Sequence, residues 1–114
     1  VWGNEVFLGQ LKIGRRDGRK FYLAVDAWDG YEADRIGILS QLQQAGVRNL
    51  VALTGDLHTF MAAYLKVDYG QRGNQPGPNL VGVEFMTPAV TSATLVDYLK
   101  GLLPSAEFED LPRE

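Results

Sequence analysis

No cysteine occurs in this sequence, so neither a disulfide nor a thiolate–metal site can be built from it. That excludes a small secreted scaffold stapled by disulfides and leaves the compartment open. No apolar run approaches the roughly 20 residues that a membrane-spanning helix needs, and no membrane span is expected. Basic charge is in the minority: 11 Lys and Arg stand against 14 Asp and Glu, for a net charge of −3. A mildly acidic balance gives no electrostatic support for holding a polyanion, so no nucleic-acid partner is expected. It does not exclude an anionic substrate, because a bound metal inverts the local field. Histidine is reduced to one residue, His58, which cannot build a closed metal site by itself. There is no Gly-rich phosphate loop, no nucleophile elbow with a Ser-His-Asp order, and no basic stripe interleaved with aromatics. The start, Val1-Trp2-Gly3-Asn4, has neither an initiator Met nor the basic segment of a signal peptide. It reads as a strand, as expected of a piece of something longer. Arg15-Arg16 sits beside Asp17-Gly18 and reads as a turn, not as a twin-arginine export signal.

What is present fits one domain. At 114 residues a chain buries roughly 65% of the surface that its unfolded form exposes, enough for one core. An apolar fraction of 46% and a charged fraction of 22% are ordinary for a folded domain. Residues 1–104 are expected to form the domain and 105–114 an acidic tail.

Periodicity places the elements. Val6 to Ile13 is a short apolar stretch ended by Gly14. Phe21 to Val25, aromatic and β-branched, predicts a buried strand, followed by the loop Asp26-Ala27-Trp28-Asp29-Gly30-Tyr31. From Glu32 the apolar residues Ile38, Leu39, Leu42 and Ala45 recur at helical spacing. Asp29 or Gly30 is expected to cap that helix and Gly46 to end it. Leu50 to Leu53 is wholly apolar, and a strand–helix–strand unit of this kind implies a parallel pair covered on both faces. Met61 to Tyr69 alternates with period two, Gln71 to Asn79 has loop composition, and Leu80 to Phe85 predicts a strand antiparallel to the one before it. Thr94 to Leu103 predicts a helix stopped by Gly101 and Pro104. The fold class is therefore α/β, a layered mixed β-sheet with flanking helices.

The sharpest chemical feature is Thr54-Gly55-Asp56-Leu57-His58, at the carboxyl end of an apolar strand, the edge where ligands bind in open α/β sheets. In extended geometry Asp56 and His58 point to the same side, roughly 6.6 Å apart along the chain. That spacing suits two side chains converging on adjacent metals roughly 3.5–4 Å apart. A carboxylate and an imidazole suit iron, zinc, manganese or calcium. The alternative is that Asp56 caps a turn and His58 is a satisfied polar residue at a strand end. The two acids of the Asp26–Tyr31 block, Asp26 and Asp29, either orient a metal or line a pocket, or Asp29 caps the helix with the aromatics as a core lid. Arg35, one helical turn after Tyr31, either binds a phosphate or pairs with Glu32. Asn4 stands at a strand end as a ligand or as an ordinary turn residue.

Taken in order, Trp2-Gly3-Asn4-Glu5-Val6, the Asp26–Tyr31 block with Arg35, Leu53 to His58, and Val83-Glu84-Phe85 with Thr87-Pro88 and Ser92 resemble the C-terminal part of PhoD-type alkaline phosphatases/phosphodiesterases. The resemblance spans about the first 95 residues. It implies a calcineurin-like metallophosphoesterase, of whose four-layer αββα sandwich this chain would be about half. Gly55-Asp56-Leu57-His58 looks like the counterpart of a Gly-His-x-His ligand motif, with Asp in place of the first His. The resemblance then implies a dinuclear or trinuclear metal centre of iron and calcium. His58 would hold the iron-like ion and Asp56 the calcium, these two being the candidate catalytic residues as ligands and not as nucleophiles. Asp29 and Asn4 are further candidate metal ligands, and Tyr31 and Arg35 candidate substrate-binding groups. The ligands that the family draws from its N-terminal half, a Cys or Asp, an Asp with a Tyr, and an Asn-His pair, have no counterparts here.

The expected function is that of a fragment of a metal-dependent phosphomonoesterase or phosphodiesterase, inactive alone, acting on a phosphate-ester substrate. Its expected partner is the N-terminal half of the same domain, packed on an apolar sheet face formed by Phe7, Leu23, Val25, Val51 and Leu53. The resemblance implies a secreted, periplasmic or cell-envelope location for the parent. The alternative is a catalytically silent α/β structural or interaction module.

Overall fold

The computed structural model describes residues 1–14, 18–70, 79–88 and 90–102. Its strands are β1 (Trp2–Gly3), β2 (Lys12–Gly14), β3 (Lys20–Tyr22), β4 (Leu50–Thr54), β5 (Met61–Lys66) and β6 (Leu80–Met86); its helices are α1 (Glu32–Gln44) and α2 (Leu95–Leu102). Four strands form one sheet in the order β1-β4-β6-β5. β1 and β6 both run parallel to β4, and β5 runs antiparallel to β6. The mixed α/β class expected from the periodicity is thus the one observed. The 105–114 tail, the Arg15-Arg16 turn and most of the Gln71–Asn79 loop lie outside the described residues.

Two expectations need correcting. The strand parallel to β4 on the far side of α1 is β1, not Phe21–Val25. Only Lys20–Tyr22 is extended in that region, and it pairs with Lys12–Gly14 as a separate antiparallel hairpin. Phe21 is 36% exposed, because a two-stranded ribbon has no second layer to bury it, and Val25, beyond the ribbon, is 64% exposed. The hairpin and α1 together make up the crossover from β1 to β4.

Helix α1 ends as its sequence prescribes. Gly46 has φ +77, and its N–H donates to the Gln43 carbonyl while that of Val47 donates to the Leu42 carbonyl, the paired bonds of a Schellman stop. Its start is different: the N-cap is Tyr31, with no side-chain cap, after a 3₁₀ turn at Trp28–Tyr31. Neither Asp29 nor Gly30 caps the helix.

One face of the sheet carries the core. Leu39 of α1 packs with Leu8, Ala52, Leu65 and Val81, all fully buried. A second cluster of Phe7, Ala24, Ala27 and Met86 continues it toward the end of β6, with Leu57 and Met61 against it. Even-numbered Glu84 and Met86 share this face with odd-numbered Val81 because β6 bulges. Leu65 pairs with Gly82 and Lys66 with Leu80, leaving Val81 as the extra residue, which inverts the alternation.

The other face is bare. The row Leu53–Phe85–Ala62 crosses three strands, and Leu53 is 50% exposed, Phe85 47% and Tyr64 43%. Of the residues expected there, Val51 and Leu53 lie in this sheet, Leu53 on the bare side. Phe7 is buried in the opposite core, while Leu23 and Val25 lie outside the sheet altogether.

Glu84 is the only acidic side chain among the described residues with no exposure at all. Its carboxylate accepts the N–H groups of Leu8 (2.9 Å) and Gly9 (2.8 Å) and the Thr54 hydroxyl (2.5 Å). Replacement by Ala strands three buried donors and is expected to cost about 2–5 kcal/mol, with Glu84→Gln costing less because it still accepts. Urea unfolding measures both; an Ala variant as stable as the parent would show that the carboxylate holds nothing.

Candidate metal-binding cleft

β4 ends at Thr54, and the chain beyond it does not stay extended. Asp56 has φ +78 and His58 φ +51, so both sit in the left-handed region, which Asp and His tolerate better than most residues but still at a cost. The two residues thus leave the extended geometry that the sequence implied, and strand alternation does not set their positions. Both line one cleft of about 380 Å³. Its floor is Asp56, Leu57 and His58; one wall is Leu23, Ala24 and Asp26; the other is Leu95, Tyr98 and Leu99 of α2.

His58 is held by its surroundings. Its Nδ1 lies 2.7 Å from the Ala93 carbonyl, which can only accept, so Nδ1 carries the proton of the neutral ring and Nε2 keeps its lone pair. A metal-ligating histidine is oriented in this way, with the second ring nitrogen donating to a carbonyl or carboxylate. The Leu95 N–H donates to the His58 carbonyl at 3.1 Å, and the Tyr98 ring stands 5.7 Å from the imidazole at 50°.

The remaining candidates fall elsewhere. Asp29 is buried, its Oδ2 accepting the Leu11 N–H at 2.8 Å, and it does not line the cleft. Burial pushes its carboxyl above the usual range, against the lowering pull of the Leu11 bond and of nearby Arg35. The acid of that block that reaches the cleft is Asp26, three residues earlier. Gly30 explains the block's shape: a Cβ there would stand 1.7 Å from the Val25 carbonyl oxygen, so only glycine lets the turn close. Arg35 is 1% exposed and pairs with Glu32 at 3.4 Å, with its guanidinium 4.9 Å from the centre of the Tyr69 ring. Of its two readings, the structure shows the pairing with Glu32, and Arg35 does not line the cleft. Tyr31 is 59% exposed, outside the cleft. Asn4 does share the carboxyl edge, its N–H donating to the Leu53 carbonyl, but its side chain turns back to the Val6 carbonyl at 2.6 Å. Of the two acids of that block that the sequence offered for a pocket, the structure thus brings Asp26 and not Asp29 to the cleft; the sequence missed Ala93 and Tyr98, which act only through a fold contact 35 or more residues distant.

Among the described residues no group of three or more His, Cys, Asp or Glu side chains is placed to hold a metal ion. The side chains of ligand chemistry that line the cleft are His58, Asp56 and Asp26, and they do not make up a complete metal site.

Comparison with known proteins supplies the family. The family model described as PhoD-like phosphatase matches residues 1–112. The chain belongs to the PhoD-like phosphatase family. It is 33% identical over 92 residues to alkaline phosphatase D of Bacillus subtilis (strain 168), an alignment covering 81% of this chain and 15% of that protein. A solved structure of PhoD superposes with a TM-score of 0.64 at 28% identity, over 80% of this chain and 17% of the other. This PhoD-like chain thus spans less than a fifth of the length of either relative.

Two predictions follow from the site. Gly30→Ala should be strongly destabilising, whereas Tyr31→Ala on the exposed side should fall within about 0.5 kcal/mol of the parent; thermal melts distinguish them, and equal effects would return the block to a pocket role. The second concerns acid. The Thr94 hydroxyl and N–H hold the Asp97 carboxyl below its usual value, so this contribution is complete above about pH 3.9, the unfolded value, and is lost as pH falls through the lower folded value. Amide exchange of α2 should then accelerate in that range before that of Val81 in β6; α2 protection outlasting the sheet would contradict it.

Proposed function

We propose that this chain contributes part of the catalytic centre of a metal-dependent phosphoesterase, with His58 as a ligand through Nε2 and Asp56 as a ligand through its carboxylate. The observation that carries the reading is the pair of left-handed residues at the end of β4, both lining one cleft, with the His58 Nδ1 2.7 Å from the Ala93 carbonyl. Family membership supports phosphate esters as the substrate class; iron with calcium, the pair that the motif resemblance implies, are the metals of this reading. The metals, when bound, supply positive charge opposite the phosphoryl oxygens and acidify a water toward neutrality. The protein's own part is to orient the ligands, and Leu23, Leu57, Leu95 and Leu99 limit water around them. Asp29, Asn4, Tyr31 and Arg35 are left out of the ligand and substrate sets because of where they lie.

Completion of the site falls to the N-terminal half of the same domain. The support is the bare row of Leu53 and Phe85, since apolar patches of this kind mark interfaces. A cell-envelope or secreted location for the parent rests on the family alone; no described helix is long and apolar enough to cross a membrane.

The test is hydrolysis of an aryl phosphate with added calcium and iron. The isolated chain should show negligible turnover. In a parent containing both halves, His58→Ala should lower kcat/KM by more than about 100-fold, beyond the roughly 10–100-fold typical of losing a group that only orients a ligand. Full activity in that variant would remove His58 from the centre, and metal-dependent turnover by the isolated chain would show that it needs no second half.

A further inference from the structure

We propose that the first turn of α2 is a clamp that positions His58, with Tyr98 as its packing residue and the Thr94–Asp97 pair as its anchor. The proposal rests on the reading of His58 as a ligand and identifies what holds the ring.

Three contacts from six consecutive residues converge on His58: the Ala93 carbonyl on Nδ1 at 2.7 Å, the Leu95 N–H on the His58 carbonyl at 3.1 Å, and the Tyr98 ring against the imidazole. Leu95, Tyr98 and Leu99 stand at i, i+3 and i+4, one face of the helix, and all three line the cleft. The position of the Ala93 carbonyl therefore decides which ring nitrogen bears the proton, and something must hold that carbonyl still.

The capping pair does so. Asp97 Oδ2 accepts the Thr94 N–H at 2.9 Å, and the Thr94 hydroxyl oxygen receives the Asp97 N–H at 3.3 Å, the reciprocal bonds of a capping box with Asp in the acidic position. The Thr94 N–H and the Ala93 carbonyl belong to one planar peptide unit and point in opposite directions. Holding the N–H toward Asp97 therefore aims the carbonyl away from it, at His58. Asp97 is exposed and does not line the cleft, so it acts on the ligand only through this peptide plane.

The single histidine makes the test direct. In the chain labelled with ¹⁵N-histidine, at about pH 8 and above the ordinary histidine pKa of about 6.5, long-range ¹H–¹⁵N spectra report which ring nitrogen is protonated. The parent is expected to carry the proton on Nδ1. Asp97→Ala and Tyr98→Ala should move population to the Nε2–H form and weaken Zn²⁺ binding by about 10-fold, while Tyr98→Phe keeps both properties of the parent. The amides of Leu65 and Val81 should stay unshifted in every variant. A parent protonated on Nε2 overturns the proposal, as do variants with an unchanged ring. Loss of the Leu65 and Val81 signals in Asp97→Ala also counts against it, since α2 would then be a determinant of the fold instead of a clamp. A parent with Nδ1 protonated that binds no Zn²⁺ would sink the metal reading and leave the clamp standing.

Discussion

A carboxylate with no access to water holds the working edge of this sheet together. The segment carrying Leu8 and Gly9 passes over the sheet without pairing to any strand, so its buried N–H groups have no ladder to join, and unpaired buried donors are costly. Glu84, reaching from the middle of β6, accepts both and takes the Thr54 hydroxyl as well. One side chain thereby ties the crossover, β6 and the end of β4 to a common point. Backbone bonds finish the edge: the Asn4 N–H meets the Leu53 carbonyl and the Thr87 N–H meets the Thr54 carbonyl. An apolar residue at position 84 would bury as well but would leave the Leu8–Gly9 donors unmet, which is why a charge is placed in the core despite its desolvation cost.

Fixing Thr54 matters because strain begins two residues later. Left-handed backbone at Asp56 and His58 costs of the order of 1–3 kcal/mol each and persists only where the surroundings determine it. Those surroundings are identifiable. Leu57, between the two, packs into the Phe7–Met86 cluster, so the loop cannot relax without exposing it. α2 holds His58 from the opposite side by backbone and by ring. The cleft is thus formed where a rigid strand end meets a helix that is itself anchored by its own first turn.

Local signals in the sequence were legible and distant ones were not. β4, β5 and β6 announce themselves through apolar content and alternation, and Gly46 marks the end of α1 by its need for positive φ. The two-residue β1 is a strand only because β4 lies beside it, and the Lys12–Tyr22 hairpin hides in a stretch of mixed charge and aromatics. The site shows the same division. Thr54 to His58 stands out by type and place, yet its geometry comes from φ values that no spacing encodes. Asp26 and Asp29 are equivalent by composition. Only the Leu11 N–H, 18 residues upstream, draws Asp29 inward, and only the Trp28–Tyr31 turn, closed against the Val25 carbonyl at Gly30, leaves Asp26 at the cleft.

The bare face and the unfinished site belong to one strand. Leu53, half exposed on the open side of β4, is three residues from Asp56, and the register sets Phe85 and Ala62 beside it in a single row. Whatever covers that row must therefore end within a few residues of the cleft. Burying the row would give such a cover hydrophobic free energy at about 25 cal/mol per Å², and would bring its own side chains to the edge that carries Asp56 and His58. Under the proposed reading, affinity and chemistry would be separated along β4, the middle of the strand attracting a cover and its end meeting the side chains that the cover carries.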